Sequence, residues 1–483
     1  MLNNIKSIKI LNCILGQLKK RHKLKLLKYN KKMIKRLKIM KEDFEQFTFL
    51  KAMNGKFNLN IKDMEIQELN LEYKYFKYDI MLYLQILLFN DLKILNLEGN
   101  EISYLNGLKE VKFKAVERLN LGSNYIFDIN ILENVNFKEL KVLNLYSNYI
   151  FDIKVLEKVQ FEKLEILNLS NNKISDISVL EKANFTELKE LYLFNNLISD
   201  IGVLEKVKFE QLEILNLSGN KISNIDILEK VNFKRLKRLF LHTINLRDIN
   251  ILGNVKFEEL EMLDLGDNKI SDINILKSVN FAELKELYLT TNEISNIEVL
   301  EKVNFENLEI LDLCCNKILK INILGKVNFH KLKKLYLNNN NIIDIKVLDQ
   351  VKFEKIELLY LCYNKIFNIF VLERVNFKEL KFLSLKGNLI SNIKGLEKVQ
   401  FGKLEILDLS RNKISNINIL EQVNFPELKI LNLNSNMISD IKVLERVKFP
   451  KLETLYLSIN NKYRIQNNQF ISTLKSIFKE III

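Results

Sequence analysis

The segment LEILNLSNNKISDISVLEKANFTE, residues 164–187, decides the fold of this chain. The next 24 residues, LKELYLFNNLISDIGVLEKVKFEQ at 188–211, repeat its pattern of apolar and polar positions. The frame L-x-x-L-x-L-x-x-N-x-I-x-D-I-x-x-L-x-x-V-x-F-x-x recurs from Leu92 to the C-terminal tail. A fixed period of this length predicts a solenoid, because a single coil cannot bury its own core and must stack on its neighbours.

One asparagine marks the same place in almost every coil. Sixteen positions spaced 24 residues apart run from 100 to 460, and only Ile244 departs from Asn. The frame resembles the leucine-rich repeat, and it is similar to the short-repeat class found in a protein phosphatase regulatory subunit and in bacterial internalins. Those repeats are about two residues shorter, so we carry over no specific partner.

The resemblance implies an α/β solenoid, a curved leucine-rich-repeat array with a concave parallel β-sheet, short convex helices and helical end caps. The alternation around Leu167 and Leu169 predicts a short strand with one buried face. The marker asparagine follows the strand, where its amide can pair backbone groups that the turn leaves unpaired. We expect fifteen asparagines to form this structural ladder: Asn100, Asn124, Asn148, Asn172, Asn196, Asn220, Asn268, Asn292, Asn316, Asn340, Asn364, Asn388, Asn412, Asn436 and Asn460.

Two further frame positions have structural roles. Asp or Asn occupies the place of Asp176 in thirteen of the sixteen coils, and we predict that it caps a helix such as Ile177 to Ala183. A phenylalanine closes fifteen consecutive coils, from Phe113 to Phe449, and predicts a spine of buried rings behind the sheet.

Composition and charge divide the chain into four segments. Residues 1–41 contain fourteen Lys or Arg and no Asp or Glu, whereas the whole chain has a net charge of +14, so the remainder is neutral. We predict a basic helical head at 1–41, a degenerate capping repeat at 42–91, a solenoid of about sixteen coils at 92–460 and a C-terminal capping helix at 461–483.

The head permits three interpretations. It can be a helical cap over the open end of the solenoid. Its segment ILNCILGQLKKRHKLKLLKYNK also resembles an F-box, although the usual Leu-Pro opening is absent, and an F-box implies a substrate receptor that docks a ubiquitin-ligase adaptor. Third, a basic arm can tether an adaptor to acidic lipid or nucleic acid. We favour the cap, and we therefore expect neither nucleic acid nor a membrane as the main partner.

A second period alternates charge along the array. The residue after each opening leucine is alternately Lys and Glu, from Lys93 and Glu117 to Lys429 and Glu453. On adjacent parallel strands these side chains would lie side by side, and opposite charges there contribute roughly 0.2–1 kcal/mol each.

Aromatic residues at outward strand positions are candidates for binding. Interfaces favour Tyr and Phe anchors, so we predict a protein–protein interaction scaffold with an unidentified protein partner on the concave face. The alternative is that Tyr is simply a good strand former copied by duplication. The predicted partner-binding residues are Tyr192, Phe194, Phe240, His242, Tyr288, Tyr336, Tyr360 and Tyr363.

No pattern of catalytic residues is present. His22, His242 and His330 have no nucleophile at a suggestive spacing, and Cys314, Cys315 and Cys362 have no fourth metal ligand. We therefore expect no enzyme, metal, cofactor or small-molecule ligand. Few cysteines, no long apolar run and a start interrupted by Lys and Asn predict a cytoplasmic protein, with the nucleus as the alternative.

Overall fold

The computed structural model describes residues 50–55, 61, 66–74, 84, 89–111, 113–460 and 479–482. The chain divides into two compact units, of which the first ends at Leu212 and the second begins at Glu213. The predicted head at 1–41 lies outside the described residues, so its three interpretations remain predictions.

The first unit contains a parallel β-sheet built from one short strand per coil. Each residue pairs with its equivalent in the next coil, for example Leu143 with Leu167. This register places every strand leucine on one buried row. The strands are β1 Glu68–Asn70, β2 Ile94–Asn96, β3 Arg118–Asn120, β4 Val142–Asn144, β5 Ile166–Asn168 and β6 Glu190–Tyr192.

The second unit repeats this arrangement. Its strands pair in parallel with the same register, as Leu287 does with Leu311. The strands are β7 Ile214–Asn216, β8 Arg238–Phe240, β9 Met262–Asp264, β10 Glu286–Tyr288, β11 Ile310–Asp312, β12 Lys334–Tyr336, β13 Leu358–Tyr360, β14 Phe382–Ser384, β15 Ile406–Asp408, β16 Ile430–Asn432, β17 Thr454–Tyr456 and β18 Glu480–Ile482.

From β2 to β17 the described helices between strands are 3₁₀ helices, shorter than the predicted ones. The helix predicted at Ile177 to Ala183 is a 3₁₀ helix over Ser178–Glu181, in which the Leu180 N–H donates to Ile177 O at 3.0 Å. A 3₁₀ helix rises more per residue than an α-helix, so fewer residues cross the back of the coil. In the first unit they are Asn106–Glu110, Asn130–Asn134, Lys154–Glu157, Ser178–Glu181 and Gly202–Glu205. In the second they are Asp226–Glu229, Asn250–Gly253, Asn274–Lys277, Glu298–Lys302, Asn322–Gly325, Lys346–Asp349, Phe370–Arg374, Lys394–Leu396, Asn418–Glu421 and Lys442–Glu445.

Thirteen Asp or Asn side chains start these helices, at the positions that the frame predicts. The Asp176 carboxylate accepts the N–H of Ser178, the first helical residue, at 2.8 Å. Because the helix begins one residue later than expected, Asp176 precedes the N-cap residue Ile177. The same bond occurs at residues 128, 152, 200, 224, 248, 272, 296, 344, 368, 392, 416 and 440.

The core consists of the leucine rows and the phenylalanine spine. Leu167 and Leu169 are fully buried, and the closing phenylalanines are buried in every coil from Phe113 to Phe449. Neighbouring rings contact where the coils stack, as Phe425 and Phe449 do with ring centroids 5.9 Å apart. The predicted apolar spine is present in both units.

The ladder asparagines bind the backbone of two coils at once. Asn172 Nδ2 donates to the carbonyls of Leu145 and Leu169, both at 3.0 Å, and to that of Ser170 at 3.1 Å. Its Oδ1 accepts the N–H of Ile150 at 3.0 Å. One buried amide thus pairs four backbone groups, and because Leu145 and Ile150 belong to the preceding coil, it also fixes the stacking of coils.

The alternating charges form ion pairs between coils. Lys189 Nζ lies 2.7 Å from Glu165 Oε2, and Glu117 lies between Lys93 at 3.2 Å and Lys141 at 2.9 Å. Equivalent pairs in the second unit are Lys237–Glu213, Lys285–Glu261, Lys333–Glu309, Lys381–Glu357 and Lys429–Glu405. The pairing places Lys and Glu side by side as predicted, so the row is self-neutralised.

The residue before each ladder position adopts the left-handed backbone conformation. Gly99, Gly219 and Gly387 occupy this place without steric cost, but Thr291 has φ of 51° and is β-branched.

Thr291→Gly is expected to raise the free energy of unfolding by about 0.5–1 kcal/mol, because removing the Cβ relieves more strain in the folded state than is offset by the greater entropy of the unfolded chain. A urea titration checks this. Thr291→Ala, which keeps the Cβ, is the control and should give a smaller gain; equal gains would contradict a backbone origin.

The two ends of the array depart from the repeat. At the N-terminal end Leu69 and Leu71 are buried, and β1 pairs with β2 where the capping repeat is predicted. At the other end residues 461–478 lie outside the described residues, and the last part of the predicted capping helix is wrong. Glu480–Ile482 is a strand that pairs in parallel with Thr454–Tyr456. Its backbone hydrogen bonds extend the sheet by one strand beyond the last coil.

Candidate functional site

The outward face of the sheet contains the predicted binding residues. In strands β1 to β17 the central leucine is buried, and the residues before and after it point to the opposite side, as Glu286 and Tyr288 do around Leu287. Tyr192 and Phe194 belong to the first unit, whereas the other six predicted residues belong to the second.

In the first unit Tyr192 ends strand β6 and Phe194 follows two residues later. The Tyr192 hydroxyl donates to Glu190 Oε2 at 2.8 Å, so this ring lies along its own strand. Both side chains are half-buried. The Phe194 carbonyl accepts the N–H of Asn171 at 2.7 Å, which ties this position to the preceding coil.

In the second unit the rings line up across the sheet. Phe240, Tyr288, Tyr336 and Tyr360 all occupy the third position of their strands. Tyr336 and Tyr360 are register partners, and their rings stack with centroids 4.9 Å apart. The Tyr360 ring also stacks on Phe382, at 4.4 Å. Phe382 was not predicted, because it occupies the first strand position; the register of adjacent coils is the signal that identifies it.

Two aspartates separate the more N-terminal rings of the second unit. Asp264 lies in register between Phe240 and Tyr288, and Asp312 between Tyr288 and Tyr336. Burial raises the pKa of both carboxyls above their usual value, and the charge of Asp264 raises that of Asp312 further. We call these six in-register side chains the aromatic–acidic strip: Phe240, Asp264, Tyr288, Asp312, Tyr336 and Tyr360.

The two aspartates were not predicted as binding residues, because the prediction rested on the aromatic residues alone. A comparison of all residues at this one frame position identifies them. Seven other strands have Asn there: Asn70, Asn96, Asn120, Asn144, Asn168, Asn216 and Asn432.

His242 and Tyr363 flank the strip without belonging to it. His242 Nδ1 lies 2.9 Å from Thr243 Oγ1. Tyr363 occupies the left-handed position of its coil, with φ of 53°. Its ring packs against Gly387, where an added Cβ would lie only 2.5 Å from Tyr363 Cδ1. Lys386 Nζ lies 5.8 Å from the centroid of this ring. Tyr363 therefore contacts the next coil's turn rather than the sheet.

A different group of exposed rings in the first unit was not predicted. Tyr125 and Tyr149 follow the ladder asparagines of adjacent coils, and their ring centroids lie 6.0 Å apart. Lys173 Nζ lies 4.9 Å from the Tyr149 centroid. Phe151 is 60% exposed, so this surface is apolar as well as aromatic. The recurrence of aromatic residues at the same frame position in two coils is the signal that could have identified it.

The Cys314 thiol near the aromatic–acidic strip is not activated as a nucleophile. Cys314 Sγ lies 2.6 Å from Thr290 Oγ1, and burial raises the pKa of Cys314 to about 12, so the thiol stays protonated and a poor nucleophile. The described residues contain no cluster of three or more His, Cys, Asp or Glu side chains that could hold a metal ion. Among the same residues, no helix has both the length and the apolar character needed to span a bilayer.

Comparisons with known proteins agree with the coil geometry. A model of two-copy leucine-rich repeats matches residues 162–206 and 258–302, and a single leucine-rich-repeat model matches 211–230. A search of curated protein sequences gave no match.

Several solved structures are similar to this chain. An internalin (inlF) from Listeria monocytogenes is 24% identical, with a TM-score of 0.57, over 77% of this chain and 95% of its own. A leucine-rich-repeat protein from Leptospira interrogans is 23% identical, with a TM-score of 0.60, over 81% of this chain and 90% of its own. The ectodomain of the membrane receptor kinase GASSHO1/SCHENGEN3 from Arabidopsis thaliana, solved with CASPARIAN STRIP INTEGRITY FACTOR 2, is 21% identical, with a TM-score of 0.54, over 78% of this chain and 48% of its own.

The chain has the leucine-rich-repeat fold, as the sequence predicts, and residues 162–206, 211–230 and 258–302 match leucine-rich-repeat models. At these identities the likeness to solved structures shows the fold alone. Leucine-rich-repeat solenoids are widely used as protein-interaction scaffolds and are typically non-enzymatic, because stacked coils offer an extended surface without an enclosed pocket.

Proposed function

We propose that this protein is a non-catalytic scaffold that binds a protein partner on the sheet face of its second unit. The observation that carries the proposal is the row of half-exposed rings on strands β8, β10, β12 and β13. Half-buried aromatic side chains are the residues that interfaces favour as anchors, because they bury a large area and lose little conformational entropy.

Two further observations support this surface. The rings at Tyr336, Tyr360 and Phe382 stack on one another, so their conformations are fixed before a partner arrives and less entropy is lost on binding. The plant receptor ectodomain, which has the same fold, was solved in complex with CASPARIAN STRIP INTEGRITY FACTOR 2. A protein or peptide ligand is therefore the class of partner that we assign to this chain.

The proposal includes a reducing compartment, the cytoplasm or the nucleus. Cys314 and Cys362 are half-buried free thiols beside the ring row, on coils that also contribute to the candidate face. Free thiols of this kind are typical of proteins kept under reducing conditions.

The test removes the rings without disturbing the strands. Random short peptides displayed on phage are selected on the full-length chain, and the selected peptides are measured against a variant with Tyr288→Asn, Tyr336→Asn and Tyr360→Asn. Other coils have Asn at this position, so the fold accommodates the change. We expect affinity to fall roughly tenfold or more, because aromatic anchors dominate binding, while the melting temperature shifts by only a few degrees.

The first unit provides a matched control. Tyr125→Asn, Tyr149→Asn and Phe151→Asn remove as many exposed rings from a surface that does not belong to the sheet. Unchanged affinity in this control, with loss in the sheet-face variant, supports the proposal. If the selected peptides bind the sheet-face variant as tightly as the wild type, the partner surface lies elsewhere and the proposal is wrong.

A further inference from the structure

The strand ends of the array share a hydrogen bond that needs an oxygen but no charge. Asn168 Oδ1 accepts the N–H of Ser170 at 3.0 Å, and Asn216 Oδ1 accepts that of Ser218 at 3.0 Å. This bond turns the backbone out of the strand, and a neutral amide supplies it.

Asp264 and Asp312 make the same bond with a carboxylate. Asp264 Oδ1 accepts the N–H of Gly266 at 2.9 Å, and Asp312 Oδ1 accepts that of Cys314 at 2.8 Å. Their negative charges therefore add nothing that the fold requires. Both aspartates are half-buried and lie in register between aromatic residues, and burying a charge without a partner is costly.

Within the described residues neither carboxylate has an ion-pair partner, although many Lys and Glu side chains of the same array are paired. His242 lowers the pKa of Asp264, but burial outweighs this effect. The two aspartates flank the Tyr288 ring on both sides, and the Tyr288 hydroxyl donates to Glu286 Oε2 at 2.8 Å, which holds the ring along the sheet.

We infer that the aromatic–acidic strip binds the cationic side chains of a basic peptide segment. Each aspartate supplies a partly desolvated negative charge that can pair one lysine or arginine, and the face of the Tyr288 ring between the aspartates attracts both cations. Charge complementarity favours this occupant, because two cations of the partner pair the two carboxylates that the fold leaves unpaired. The inference rests on the proposed function, since it names the chemistry of the partner that the ring row would bind.

The spacing of the aspartates sets the spacing of the cations. Two strand separations give about 9.6 Å between Asp264 and Asp312. In a polyproline II segment, side chains three residues apart share one face and lie about 9.3 Å apart. The expected ligand is therefore an extended segment with Lys or Arg at positions i and i+3.

The test uses the phage-selected short peptides as probes and two sets of aspartate variants. Peptides selected on the full-length wild-type chain are expected to contain Lys or Arg at positions three residues apart. Their affinity should fall roughly tenfold or more in the Asp264→Asn, Asp312→Asn double variant, because each change removes one charge and leaves the hydrogen-bonding oxygen in place. Asp408→Asn is the matched control. Asp408 accepts the N–H of Ser410 at 2.9 Å in the same way but lies between Ser384 and Asn432, outside the aromatic–acidic strip, so affinity should not change.

Thermal melts at neutral pH separate a binding role from a structural one. The double variant should melt at the wild-type temperature or above it, because the two charges are a cost to the free protein; a lower melting temperature would mean that they support the fold, and would overturn the inference. Selected peptides without basic residues, or with unchanged affinity for the double variant, would also overturn it. If those peptides still depend on Tyr288, Tyr336 and Tyr360, the proposed function stands and only the cationic partner is wrong.

Discussion

Phe329→Ala is expected to lower the free energy of unfolding by about 3–5 kcal/mol, the cost of deleting a fully buried ring. Phe329 is 1% exposed and lies in the spine behind the second unit's sheet. A coil is held only by its neighbours, so the cavity should weaken the stacking on both sides. Urea titration followed by circular dichroism should show a lower midpoint, with a separate early transition if the array breaks at this coil.

Phe367→Ala is the matched control for this change. It also removes a phenyl ring, two coils further along, but Phe367 is 57% exposed. The expected change in the free energy of unfolding is therefore below about 0.5 kcal/mol. Equal losses at Phe329 and Phe367 would contradict the assignment of the closing phenylalanine to the core. A small loss at both would mean that the surrounding side chains collapse into the space.

The repeat made the fold predictable because every frame position has one physical task. The buried leucines, the ring spine, the asparagine ladder and the alternating ion pairs all follow from the spacing of 24 residues. The helix type did not follow, since Asp176 marks the start of a helix whether it is α or 3₁₀. The strand at Glu480–Ile482 was missed because its pairing depends on a distant edge, and the apolar periodicity of residues 468–478 suggested a helix instead.

The candidate site was less predictable, because binding depends on neighbours across coils rather than on one position's residue type. Tyr336 and Tyr360 could be identified from the sequence, since aromatic residues on an outward strand position are conspicuous. The role that we propose for Asp312 could be inferred only from the strand register, which places this residue between Tyr288 and Tyr336. The structure also shows that Asp312 makes a hydrogen bond that Asn makes in other coils. Phe151 follows a turn, and the frame alone does not indicate how exposed that place is.

The second large expected effect on stability concerns Asn268, the ladder asparagine of the coil that follows the interruption at Ile244. Asn268 Nδ2 donates to the carbonyls of Leu241, Leu265 and Gly266, and its Oδ1 accepts the N–H of Ile244 at 3.1 Å and of Leu246 at 2.9 Å. Asn268→Leu keeps the volume and removes all five bonds. We expect a loss of about 1–3 kcal/mol for each buried backbone group that is left without a partner, measured as the urea midpoint of the full-length chain.

Ile244→Asn is the reverse experiment and should stabilise the chain by about 1 kcal/mol. Ile270 lies two coils after Ile222, at the equivalent place, and donates its N–H to Asn292 Oδ1 at 2.9 Å. In the described structure the buried N–H of Ile222 has no such acceptor, because Ile244 lies where the amide would be. The new Oδ1 can accept that N–H, and amide exchange of Ile222, which should be faster than that of Ile270 in the wild type, should then slow. If Ile244→Asn destabilises the chain while Asn268→Leu is neutral, apolar packing rather than the amide ladder holds the turns, and the role that we assign to the asparagines is wrong.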